Sequence, residues 1–133
     1  MTATVYAPVT APQRSIVSPK TKGMRHATIR AATVVDAARL HQLIADHLAE
    51  GRLLPRGLPD LEAHATRFFV ATAGEAIVGC AELAPLGRSV AEVRSLAVEA
   101  SHRGVGVGAA LIGAVIAKAR AGYFARLSAF THE

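Results

Sequence analysis

The stretch from Val90 to Gly122 constrains this chain more than any other, because it reads as strand, glycine-rich turn and helix in direct succession. Val90-Ala91-Glu92-Val93-Arg94-Ser95-Leu96-Ala97-Val98 is rich in β-branched and apolar residues, as a mostly buried strand requires. Ala109 to Arg120 is an apolar helical run. Between them, behind Arg103, Gly104, Gly106 and Gly108 alternate with Val105 and Val107. Loss of Cβ at alternate positions lets successive backbone N–H groups converge on one point. Where such a loop opens a helix, unpaired N–H groups and the positive dipole end favour an anion such as phosphate. Arg103 adds a fixed positive charge at the lip. The same glycines would also suit a tight turn with close packing and no ligand.

Two familiar phosphate loops do not match. A dinucleotide fingerprint needs G-x-G-x-x-G and an acidic residue about 20 positions further on. Here the spacing is G-x-G-x-G, and no acid lies between Glu99 and Glu133. A P-loop needs a Gly-Lys-Ser/Thr ending, which is absent. What remains, Arg103, Gly106 and Gly108 in R-x-x-G-x-G after a strand ending Leu96-Ala97-Val98, resembles the pyrophosphate-binding motif of the GNAT N-acetyltransferases, which hold acetyl-CoA.

The resemblance covers about residues 25 to 133. Thr28–Ala32 looks like the family's first strand and Val34–Ala49 its first helix. Arg67–Ala73 and Glu75–Ala84 look like the following hairpin, and Ala125–Thr131 like the fifth strand. It implies an α/β (α+β) fold, with a mixed, mostly antiparallel central sheet flanked by helices. More narrowly, Leu53-Leu54-Pro55-Arg56, Gly79-Cys80-Ala81-Glu82-Leu83, Glu92–Val98 and Leu127–His132 resemble the acetyltransferase domain of N-acetylglutamate synthases. Those enzymes are bacterial and cytoplasmic and make N-acetyl-L-glutamate for arginine biosynthesis.

Composition agrees with one small domain. The chain has 133 residues, enough for a real core. Although 51% of them are hydrophobic, charges and glycines interrupt the apolar runs, so no membrane span is expected. The formal charge is +5, with Arg14, Lys20 and Lys22 in an acid-free N-terminal stretch. A nucleic-acid binder would pair a basic stripe with stacking aromatics, and four Phe, two Tyr and no Trp do not supply them. A small positive charge suits polyanionic CoA and an acidic amino acid. The single cysteine, Cys80, excludes an internal disulfide and a multi-cysteine zinc site. In Val78-Gly79-Cys80-Ala81 it reads as a small core residue rather than a nucleophile. The six histidines include no H-E-x-x-H pair, so no metal site is expected.

Residues 1–24, with Pro8, Pro12 and Pro19 and no sustained period, read as a flexible tail before a domain at 25–133. The prolines break the amphipathic helix of a transit peptide, no secretory signal is visible, and Met24 is an alternative start. Thr33 is a candidate N-cap with Asp36 in the capping-box position. Val34, Ala37, Ala38, Leu40, His41, Ile44, Ala45 and Leu48 recur at helical spacing, and Gly51 ends the element. Pro55, Gly57 and Pro59 make the next segment irregular, with a short helix expected after Pro59.

The resemblance assigns chemistry residue by residue. Leu96, Ala97 and Val98, with Arg103, Gly104, Val105, Gly106, Val107, Gly108 and Ala109, would hold acetyl-CoA. The central strand would bulge and splay from the fifth. The Leu96 N–H would then polarise the thioester carbonyl as an oxyanion-hole dipole, and Val98 would pair with the pantetheine. Glu92 would take a proton from the acceptor ammonium, through water. Arg56, Arg94, Ser95 and Thr131 would line the glutamate pocket, since a guanidinium fork matches a carboxylate. On residue chemistry alone, Arg56 is equally a solvated surface residue and Arg94 an ion-pair partner of Glu92. Unless a bulge intervenes, alternation puts Glu92, Arg94 and Leu96 on one face and Val93, Ser95 and Ala97 on the other.

The sequence stops at Thr131-His132-Glu133, where the family continues with a helix and two strands, so the expected domain is C-terminally truncated. The fifth strand is then expected as an exposed edge, open to pairing with a second copy. Two function classes follow: an N-acetyltransferase acting on the α-amine of an acidic amino acid, chiefly L-glutamate, or a CoA-binding remnant with little turnover. Acetylation of another small amine shares the fold and the cofactor.

Overall fold

The computed structural model describes residues 2–8, 27–48, 53–122 and 126–132, and the side chains of 27–48 and 53–122. Gly51, expected to end the first helix, lies outside these, as do Pro12, Pro19 and Met24 of the expected tail.

Ala76–Pro85 (β4) is buried at every position except its ends, because both faces of the sheet are covered. Around it lie Thr2–Pro8 (β1), Thr28–Ala31 (β2), Phe68–Ala73 (β3), Val90–Val98 (β5) and Arg126–His132 (β6), in the order β1-β6-β5-β4-β3-β2. Every pairing is antiparallel except β5 with β6. The parallel step follows from the crossover through Val107–Ala121 (α3), which returns the chain to the end where β5 began. Gly74, at φ 62°, makes the β3–β4 turn, as expected from Gly74-Glu75.

One face packs on α3. Ala81, Leu83 and Ala91 of the sheet meet Val107, Leu111 and Val115 in one apolar cluster. The approach is closest at Gly79, where a Cβ would stand 3.1 Å from Leu111 Cδ1 and 3.2 Å from the Ala97 carbonyl oxygen. The other face packs on Ala37–Leu48 (α1) and Leu58–His64 (α2), through Leu40, Leu43, Ile44, Leu61, Phe68, Val70 and Cys80.

Three local expectations change. Val34–Asp36 is a 3-10 turn leading into α1, entered from Thr33, whose N–H donates to Asp36 Oδ2 at 2.8 Å. Arg30 grips the same carboxylate with Nη1 and Nη2, both at 2.9 Å, and with the Thr33 bond holds Asp36 below the usual carboxylate range. The buried stripe of α1 is Ala37, Leu40, Leu43, Ile44 and His47, while Val34, Ala38, His41 and Ala45 are exposed. The third concerns the N-terminus. Thr2–Pro8 is a strand that pairs along β6, Thr2 opposite His132 to Pro8 opposite Arg126. The fifth strand of the sequence reading is therefore not the sheet edge. A backbone ladder needs little from side-chain patterning, and so the segment carried no recognisable period.

Candidate active site

The site is built on an irregularity of β5. Cys80 pairs with Ala97 and Glu82 with Arg94, so Ser95 and Leu96 together face only Ala81. Ser95 absorbs the extra residue at φ 54°, a left-handed conformation uncommon for a residue with a Cβ. The bulge reverses the alternation beyond it. Leu96 packs with Val93 on the α3 side, and Ala97 packs with the α1 and α2 cluster. Plain alternation had each on the opposite face.

The strand also parts from its parallel neighbour. Pairing with β6 runs from Val90 to Val93, opposite Arg126 to Ala129, and among the described residues goes no further. Ser95 and Leu96 thus have no register partner on either side. A cleft of about 280 Å³ opens here, lined by His47, Leu53, Leu96, Ala97, Val98, Arg103, Gly104 and Gly108.

The loop after Arg103 closes one end of this cleft. Gly104 at φ 76° and Gly106 at φ 94° adopt conformations that side chains resist, and Gly106 caps α3. The helix begins at Val107, two residues earlier than its apolar run suggested. Ala110 N–H bonds the Gly106 carbonyl at 3.0 Å, so the first-turn amides of Val107, Gly108 and Ala109 precede the α-helical bonding ladder. The Val107 side chain is buried in the core, leaving only its backbone to serve the loop, and Val105 and Ala109 are exposed. Arg103 Nε donates to the Val98 carbonyl oxygen at 2.9 Å, tying the loop to the strand end. These groups fit a diphosphate: glycine conformations, helix amides and a guanidinium converge beside an open cleft.

Arg56, Ser95, Glu92 and Arg94 are not among the residues that line this cleft; the structure brings Arg56 to Ser95 but does not leave Arg56 open. Its Nε donates to Asp60 Oδ2 at 2.6 Å, and its Nη1 to Glu82 Oε1 at 2.8 Å and to Ser95 Oγ at 2.9 Å. The Phe68 ring lies 5.7 Å from its guanidinium carbon. Burial alone would lower the Arg56 pKa, but the bonds to Asp60 and Glu82 raise it. Arg56, followed by His64, holds the Asp60 carboxyl down at about 2. Glu82 is fully buried, and its Oε2 has no hydrogen-bond partner. Glu92, also buried, pairs through Oε1 with Arg94 Nε, while Arg94 remains half exposed. Thr131 lies in β6 opposite Ala3, its side chain outside the described residues. Cys80 is buried, and desolvation pushes its thiol up to about 12.

Three participants escaped the sequence reading. His47 lines the cleft from α1, with Nε2 2.8 Å from the Val98 carbonyl oxygen and Nδ1 2.8 Å from that of Leu43. Its place three residues after Ile44 was the available signal. Asp60 stands four residues from Arg56 and from His64, the spacing of helical ion pairs. Glu82 was a lone carboxylate inside an apolar strand, which demands a buried partner. Among the described residues no group of three or more His, Cys, Asp and Glu is placed to hold a metal ion, and no helix is long and apolar enough to cross a membrane.

The family model for the acetyltransferase (GNAT) family matches residues 39–133, most of the chain. The chain belongs to the GNAT family. Its sheet, split at β5 and flanked by helices, is the GNAT fold. The uncharacterized N-acetyltransferase CT2212 of Chlorobaculum tepidum is 32% identical over 84 residues, covering 63% of this chain and 54% of that protein. Rv2747 of Mycobacterium tuberculosis, solved with CoA and NLQ, is 28% identical with a TM-score of 0.70, over 75% of this chain and 61% of that one. The N-acetylglutamate synthase of Neisseria gonorrhoeae, solved with coenzyme A and N-acetyl-glutamate, is 31% identical with a TM-score of 0.73, over 77% of this GNAT chain and 24% of the synthase. The chain thus spans little more than half the length of the first two relatives.

Proposed function

We propose that this GNAT chain is an N-acetyltransferase that moves an acetyl group from acetyl-CoA to the α-amine of an acidic amino acid, L-glutamate foremost. The observation that carries the reading is the cleft between the β5 bulge and the glycine-rich entry to α3. Acetyl-CoA, when bound, supplies an activated acyl group. The loop amides and Arg103 would hold its diphosphate, Ala97 and Val98 would flank its pantetheine, and the Leu96 N–H would polarise the thioester carbonyl. Glu92 takes a proton from the acceptor ammonium, through water, and Arg94 keeps that carboxylate in place. The amine attacks the thioester directly, the C–S bond breaks and CoA leaves as its thiol; Cys80, buried with its thiol pushed up to about 12, is unsuited to carry the acyl group. Arg56, Arg94, Ser95 and Thr131 form the acceptor end. The neisserial neighbour, solved with N-acetyl-glutamate, supports the glutamate assignment, under which the reaction would belong to arginine biosynthesis in the cytoplasm.

A second reading keeps the chemistry and changes the acceptor. Arg56 already holds two carboxylates, which favours an amine that brings no further negative charge to that end. Thiol release from acetyl-CoA, measured with L-glutamate and with a panel of amines, decides between them. Release with L-glutamate and little with carboxylate-free amines is expected. Release confined to carboxylate-free amines would replace the first reading with the second, and no release with any amine would overturn both.

A further inference from the structure

Arg56 is held unequally by its two carboxylates. Glu82 is fully buried, and its second oxygen already lacks a hydrogen bond. Losing Arg56 would leave it an uncompensated buried charge, so Glu82 cannot let go. Asp60 is different: its side chain is 40% exposed, and its other oxygen lies 2.9 Å from His64 Nδ1. Water and His64 can keep it solvated once Arg56 is released.

The hydrogen inventory of the guanidinium sharpens this asymmetry. Both Nη1 hydrogens are committed, to Glu82 and Ser95, and the one Nε hydrogen goes to Asp60. Only Nη2 hydrogens remain for a newcomer. A carboxylate that is to be gripped bidentately must therefore take the edge formed by Nε and Nη2, where Asp60 now sits.

We propose that Asp60 is a surrogate carboxylate, which occupies Arg56 until a carboxylate of the acceptor exchanges with it. Glu82 and Ser95 act as positioning residues that keep the guanidinium fixed while its outer edge changes partner. Asp60 then sets acceptor affinity: a weakly bound monocarboxylate fails to displace it, and a well-placed one succeeds. No bond is made or broken in the exchange beyond hydrogen bonds. The proposal rests on the reading above that the acceptor carries a carboxylate.

Calorimetric titration with glutarate, a dicarboxylate with no amine to acetylate, reads the exchange without turnover. Asp60→Asn keeps the shape and removes the competing charge, and Asp60→Ala checks that any gain is not owed to the amide. Glutarate is expected to bind both variants more tightly than the unsubstituted chain by about threefold, the scale of a half-exposed ion pair. In an Arg56→Ala background the same substitutions should add nothing. Equal or weaker binding, no binding to any of the proteins, or the same gain without Arg56 would each overturn the exchange. Failure of the enzymatic reading looks different: glutarate would still discriminate the variants, while no carboxylate-bearing amine released thiol.

Discussion

His47 and Val98 stand 51 residues apart in sequence, yet the His47 Nε2 lies 2.8 Å from the Val98 carbonyl oxygen. This contact ties the last turn of α1 to the end of β5 beside the cleft, and Arg103 Nε donates to the same oxygen. The position of the glycine-rich loop relative to the bulge therefore depends on a histidine in a different layer. A neutral imidazole donates through only one nitrogen, whereas both of these face carbonyls, so the ring is a demanding fit for any substitute. His47→Ala should destabilise the fold by about 2 kcal/mol, through a cavity and lost hydrogen bonds. It should also weaken acetyl-CoA binding. Thermal unfolding and calorimetry on the same sample check both effects.

Arg103→Ala should weaken acetyl-CoA about tenfold or more, as expected for removing a charged contact to a diphosphate. Acetyl-pantetheine lacks the diphosphate, and its binding should change little. An unchanged Kd for acetyl-CoA would remove the phosphate role from this loop.

Glu92→Gln should lower kcat by about a hundredfold or more at neutral pH, the scale of one general base, with a smaller effect on the acetyl-CoA KM. Raising the pH supplies more free amine and should narrow the deficit. A full rate at neutral pH would leave Glu92 only as the ion-pair partner of Arg94.

Acid should expose the two well-held aspartates. Arg30 lowers the Asp36 pKa and Arg56 lowers that of Asp60, to about 2. A carboxyl depressed in the folded state adds stability that is present above its unfolded pKa of about 4 and is lost as pH falls through the folded value. For Asp60 the window runs from about pH 4 to about pH 2. Unfolding midpoints between pH 6 and pH 2, on the order of one unit apart, should therefore fall less steeply for Asp36→Asn and for Asp60→Asn than for the unsubstituted chain.

Much of the fold was legible because its signals are local. The β-branched run of β5, Gly74 in the β3–β4 turn and the apolar face of α3 each follow from residues close in sequence. The β1 strand was not legible: its partner β6 lies at the far end of the chain, and backbone pairing leaves no mark in side-chain periodicity. The α1 stripe was read slightly out of phase, since alanines satisfy either face, and this hid His47. Arg56 was legible as an anion ligand but not as an engaged one. Asp60 was missed although it stands four residues from Arg56, and Glu82 sits on a strand 26 residues away.

The sequence by itself determined the chemistry on offer: a glycine loop that leaves amides bare, an arginine at its lip, and a strand carrying Glu92, Arg94 and Ser95. These are local properties, set by which residues lack a Cβ, bear a charge or favour extended backbone. Only the tertiary structure decided how those groups face one another. The bulge at Ser95 turns Leu96 away from Glu92, the parting of β5 from β6 opens the cleft, and the burial of Glu82 commits Arg56. Each depends on residues distant in sequence brought within hydrogen-bonding range, where desolvation makes every unpaired charge costly and leaves few arrangements that satisfy all of them.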